Sequence, residues 1–130
     1  MRTLFSATFV AALLLSSSVF AEDSKPLSAD ALRSAFPGNT ATGEGGGGQW
    51  HVYHAPEGQL RIRTASGYTD GGTWYITDDG QFCRKFNKLA GGTEACWIYF
   101  KKGDEYEYWY ADGSRMRGKF KMRPGNPENL

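Results

Sequence analysis

The residue with the most chemical promise is Arg84. Strand alternation puts it on the same face as Trp74, Phe82 and Phe86, where a guanidinium needs an anionic or aromatic partner. The functional reading is an interior anion site, for instance for a carboxylate ligand. The default reading is a core arginine held by cation–π contact or a salt bridge, or one turned outward by a strand bulge. His51 and His54 are the two histidines. Three apart on a strand, they face opposite ways and cannot grip one metal together. His54 adjoins a turn and belongs either at a barrel mouth or, by default, at a solvated loop edge. Trp50, Trp74, Trp97, Tyr106, Tyr108, Trp109 and Tyr110 make the second half of the chain aromatic. Such rings stack on ring-shaped ligands, and they also fill cores. Arg84, Trp74, Trp97, Tyr108 and His54 are the ligand-contact set expected if a small molecule enters the fold.

Catalytic signatures are thin. The chain carries no G-x-S-x-G and no H-E-x-x-H. Asp78-Asp79 and Asp104-Glu105 read as turn acids rather than an acid/base pair. No metal-ligand set or cofactor motif is legible. The run Arg115, Arg117, Lys119, Lys121, Arg123 alternates with Met116, Phe120 and Met122, and reads as an outward basic stripe partly neutralised by Glu105 and Glu107.

The elements that must position these residues follow from the patterning. Residues 1–21 read as a signal peptide. Arg2 supplies the positive start, an apolar run follows, and Val19 and Ala21 sit at −3 and −1 of a cleavage before Glu22. The apolar run is short for a bilayer span and is interrupted by Ser and Thr. Residues 22–130 then form a single all-β domain. Cleavage removes Arg2, the leader's one charged residue, and takes the formal charge from +1 to 0. A neutral exported domain has no field to gather nucleic acid, and no stable membrane insertion is expected after cleavage. The expected address is the periplasm of a Gram-negative bacterium, or the medium.

Cys83 and Cys96 are the two cysteines. In an exported chain they are expected to form one structural disulfide across a hairpin whose loop is Asn87–Thr93. Ser28 as N-cap and Pro37-Gly38 as terminator bound a short helix over 28–36, expected to lie on the sheet and to cover Ile98 and Phe100. Residues 43–48, dense in glycine, read as a flexible loop. From 49 to 123 the chain alternates apolar and polar residues between turn signals, and 124–130 is a tail. This predicts an antiparallel meander of about seven strands forming a small barrel or strongly curled sheet. Three-residue turns pair Val52 with Ile62, Trp74 with Arg84, Tyr108 with Met116 and Glu105 with Lys119, and place Met116 inside.

Several landmarks then follow in order: Gly38-Asn39-Thr40-Ala41-Thr42-Gly43, Tyr53-His54-Ala55-Pro56-Glu57-Gly58, Gly72-Thr73-Trp74, Phe82-Cys83, Cys96-Trp97, Asp112-Gly113 and Gly125-Asn126-Pro127. With them the mature chain resembles a family of small proteobacterial exported proteins classed as a domain of unknown function. The resemblance implies paired cysteines and an extracytoplasmic address, and carries over no catalytic residue. Gly72-Thr73-Trp74 also resembles the G-x-W of lipocalins. There the triplet lies in the first strand, and here it begins the third of the expected strands, so ligand binding is not carried over. Small periplasmic inhibitor barrels are similar in size, but no inhibitor motif is legible. The resulting expectation is a non-catalytic periplasmic binding module. The alternatives are an envelope interaction or inhibitor protein acting through loops 43–48 and 87–93, and, behind both, a small-molecule enzyme.

Overall fold

A computed structural model describes residues 25–130; the signal peptide expected over 1–21 lies outside the described residues. Helix α1 (Ala29–Ala35) precedes eight strands: β1 (Asn39–Gly45), β2 (Gly48–His54), β3 (Gln59–Arg63), β4 (Thr69–Ile76), β5 (Phe82–Phe86), β6 (Ala95–Lys102), β7 (Glu105–Tyr110) and β8 (Met116–Pro124). Each strand pairs antiparallel with the next, and β1 pairs with β8, so the meander closes into a barrel. Among the described residues no helix is long and apolar enough to cross a membrane.

The strand beyond the seven expected is β1. Its sequence, Asn-Thr-Ala-Thr-Gly-Glu-Gly, is small and polar and carries little strand signal by itself. Tertiary pairing on both sides supplies what the residues lack: Ala41 lies between Val52 and Met122, and Thr42 between His51 and Lys121. Most of the run expected as a loop, 43–45 and 48, is therefore strand. Only Gly46 and Gly47 form the turn, with φ of +63° and +91°, the left-handed pair that a two-residue hairpin requires.

Two hairpins follow the expected registers, with Val52 opposite Ile62 and Trp74 opposite Arg84. The last one does not. Tyr108 stands opposite Gly118 and Trp109 opposite Met116, with a bulge between. The loop is longer than three residues, since Tyr110 N donates to Arg115 O at 3.1 Å. The physical reason lies at Gly118: a Cβ there would sit 2.7 Å from the Tyr108 hydroxyl, so a side-chain-free position faces the folded-over ring. Glu107 and Lys119 become direct partners, and Met116 lies outside with 40 % of its surface exposed.

The helix also takes a different place. Ser28 Oγ caps it by accepting from Ala31 N at 3.1 Å. Leu32 and the following Phe36 are buried. Phe36 meets His54, Phe82, Tyr99, Tyr106 and Phe120, with ring centroids 4.8 to 6.4 Å away. Those rings come from five strands, so α1 closes one end of the barrel instead of covering Ile98 and Phe100. Phe100 packs on Trp109, at 5.8 Å between ring centroids.

The Cys83–Cys96 disulfide joins directly opposed residues of β5 and β6, with Cα atoms 4.0 Å apart and a sequence separation of 13. A 3₁₀ turn, Leu89–Gly92, occupies the enclosed loop. On the outer wall, Glu128 of the tail accepts from Arg63 of β3 and Arg123 of β8, each at 2.7 Å. These bonds hold the Glu128 carboxyl below its ordinary pKa, with the Arg123 contact the largest cause. This tail clamp spans β1 and β2 between its two arginines.

Replacing both cysteines by alanine should lower the unfolding free energy by about 3 kcal/mol through loop-closure entropy. Urea denaturation of the double variant against the wild type measures it. An unchanged midpoint would show that the bond is energetically idle.

Candidate functional site

The two ends of the barrel differ. At the helix end the lumen is packed: Trp74 stacks on Phe82 at 5.8 Å and meets His54 edge-on at 5.7 Å. Trp74 Nε1 donates to Ala55 O and Gln59 O, at 3.1 and 2.9 Å. This tryptophan ties the β2–β3 turn shut. His54, expected by default at a solvated edge, is instead 3 % exposed. Strand alternation carries it inward and Phe36 covers it. Its Nδ1 lies 3.3 Å from Asn39 O. Burial is the main cause that lowers its pKa to about 3, and the charge on Arg84 adds to it. The imidazole is thus neutral at physiological pH, among aromatic rings and, among the described residues, with no carboxylate within 4.0 Å.

The opposite end is open. A cup of about 480 Å³ is lined by Gly45, Trp50, Val52, Ile62, Tyr68, Leu89, Arg84 and Tyr108, with small residues of the β3–β4 turn at its rim. Its volume lies in the range of small-molecule sites, and its wall is largely apolar. A small void of about 10 Å³ lies deeper, between the cup and the packed end, where Trp50, Val52, Arg84 and Tyr108 meet His54, Phe36 and Tyr99. A second cleft, about 430 Å³, lies on the other side of Arg84 and is lined by Phe86, Trp97, Ala95, Thr93 and Arg117.

The five residues expected from the sequence therefore separate. Arg84 and Tyr108 line the cup. Trp97 lines the adjoining cleft and packs edge-on against Tyr108 at 5.7 Å. Trp74 and His54 belong to the packed end and line neither opening. The Arg84 guanidinium lies over the Phe86 ring at 5.0 Å and the Trp97 ring at 5.9 Å. Among the described residues it has no carboxylate within 4.0 Å and no hydrogen bond. Both sequence readings of Arg84 meet here: it is a cation–π arginine, and it stands in an opening with its charge unneutralised.

Trp50, Ile62, Tyr68, Leu89 and Arg117 were not singled out for this site from the sequence. Arg117 has a specific reason. It is the residue skipped between the pairs Tyr108–Gly118 and Trp109–Met116, and a bulge re-aims the side chain it contains. It stays exposed, as the outward stripe predicts, and also borders the cleft with Arg84.

The only trio of metal-ligating side chains brought close together among the described residues is Cys83, Glu94 and Cys96. Its two sulfurs are bonded to each other, which leaves neither as a thiolate ligand.

The cup owes its shape to a glycine facing a ring. A Cβ on Gly43 would fall 2.2 Å from Trp50 Cζ2 and 2.8 Å from Lys119 O, so the indole lies flat on the wall only because position 43 has no side chain. Gly43→Ala should push Trp50 into the lumen and destabilise the fold by about 1–3 kcal/mol. Denaturation and tryptophan emission report it, and an unchanged spectrum and midpoint would refute the steric account. A second expectation concerns His54. Its folded pKa lies below the ordinary 6.5, so the unfolded chain binds the proton first. Stability should fall as pH drops below about 6.5, and go on falling towards about 3. His54→Phe should flatten that part of the curve in pH-dependent melts; a parallel curve would count against a buried neutral imidazole.

Comparison with known proteins gives a family and no activity. A search of curated proteins finds no match. The family described as a protein of unknown function, DUF995, matches residues 3–118, most of the chain. The chain belongs to the DUF995 family.

Proposed function

We propose that this protein is a non-catalytic binding module that takes one small, largely apolar ligand in the open end of its barrel. The observation that carries the reading is the asymmetry of the lumen: one end filled by Phe36, His54, Trp74 and Phe82, the other left as an apolar cup of about 480 Å³. An eight-stranded barrel is wide enough either to be filled by its own side chains or to hold one small ligand, and here each outcome occupies one end. The expected export signal, the disulfide and the resemblance to proteobacterial exported proteins support a periplasmic or secreted address, where such a module would meet small molecules crossing the envelope.

Loops 43–48 and 87–93, the candidates for protein contact, favour the same reading. Gly45 and Gly46 form part of the cup, as does Leu89 of the Asn87–Thr93 loop. What they border is a concavity rather than a flat protein-binding face.

An uncharged apolar fluorophore, N-phenyl-1-naphthylamine, tests the proposal. The wild type should enhance and blue-shift its emission with a stoichiometry of one. Ala65→Trp, which adds an indole at the rim, should abolish the enhancement while retaining a cooperative melt. Absence of enhancement with the wild type, or equal enhancement with the folded variant, would overturn the reading.

A further inference from the structure

Resting on the binding-cup reading, we infer that the ligand is an amphiphilic monoanion, with a carboxylate or similar oxyanion held at Arg84 and its apolar body in the cup. Three observations lead there. First, Arg84 lines the cup, the deeper void and the adjoining cleft, so it stands at their junction. Its guanidinium is half-buried against Phe86 and Trp97. Removing a cation from water without an anion is unfavourable, and ring faces recover only part of the loss. The exposed Arg61, Arg115 and Arg117 have no carboxylate within 4.0 Å among the described residues, but the other two half-buried arginines, Arg63 and Arg123, both pair with Glu128. Arg84 does not, and an anion from outside would complete it.

Second, Arg117, exposed at the β8 bulge, borders the cleft beside Arg84 and has no carboxylate within 4.0 Å among the described residues. Two guanidinia without a carboxylate partner, one half-buried and one exposed, thus line one cleft. An oxyanion, with lone pairs to accept from more than one donor, fits this arrangement; a cation or a neutral hydrocarbon does not.

Third, Trp97 Nε1 is a buried donor with no hydrogen-bond partner among the described residues. Buried polar groups without partners are uncommon and call for a cause. This one belongs to the ring beneath Arg84, so two donors lacking an acceptor sit on adjacent strands. Opposite them, Trp50, Val52, Ile62 and Leu89 offer a surface suited to an aliphatic or ring-shaped body. Charge at one end and apolar wall at the other define an amphiphile.

Titration calorimetry of the purified protein with decanoate, decanol and decyltrimethylammonium, all below their aggregation thresholds, tests this. Decanoate should bind about tenfold or more tightly than decanol, since a hydrogen-bonded charge pair out of water supports at least that ratio. The ammonium should bind most weakly. Arg84→Gln should bring decanoate affinity down to that of decanol and leave decanol unchanged, while Arg84→Lys should keep part of the preference. Equal binding of decanoate and decanol by the wild type overturns the anion inference even if Arg84→Gln fails to fold. So does an unaltered preference in a folded Arg84→Gln. In either case N-phenyl-1-naphthylamine binding would show that the cup itself stands. If that fluorophore also fails to bind, it is the cup reading that falls.

Discussion

The pairing of β1 with β8 is the contact on which the architecture rests. An antiparallel meander leaves its first and last strands with a row of backbone donors and acceptors, which must be paired, covered or left to recruit other chains. Here Asn39–Thr42 pairs with Lys121–Pro124 while β1 also pairs with β2, and no edge remains along that seam. Closure defines an inside. Strand alternation then decides which residues face it, and a ring of eight strands limits what it can contain.

That limit explains the asymmetry of the lumen. Aromatic side chains enter from six of the eight strands, all but β1 and β3, and Phe36 adds one from the helix. At the helix end they fill the cross-section, and the neutral His54 is one more ring among them. At the other end two glycines change the outcome. Gly43 lets Trp50 lie against the wall, and Gly118 does the same for Tyr108. The space so released borders Arg84, whose charge no carboxylate of the barrel satisfies. A packed end and a receptive end thus arise from one strand pattern through a few positions without side chains.

The disulfide and the tail act on the outside of this frame. Cys83–Cys96 fixes β5 to β6 beside the longest inter-strand loop. Glu128 ties β3 to β8 across the seam by its two arginine partners. One reinforcement is covalent and the other electrostatic, and together they brace regions where the strand-to-strand pairing is short or closes the ring.

Much of this was legible before the fold was known. The apolar face, the registers of the hairpins at Pro56-Glu57-Gly58 and Asp78-Asp79-Gly80, the capped helix and the inward position of Arg84 all follow from period-two alternation and local turn or cap chemistry, which act over a few residues. The β1 strand was not legible, because its two threonines are diluted by Asn, Ala, Glu and Gly, and neighbours on both sides supply the hydrogen bonds that make it a strand. Nor was the helix as a plug, its cover over His54, or the place of Arg117 beside the cleft. The cup was illegible for the same reason: its lining comes from strands far apart in the chain. Sequence alone determined the class of fold and the residues that face inward, since those depend on neighbours along the backbone. Tertiary structure alone decided which end is filled and which stays open, since that depends on how rings from distant strands share one narrow cross-section.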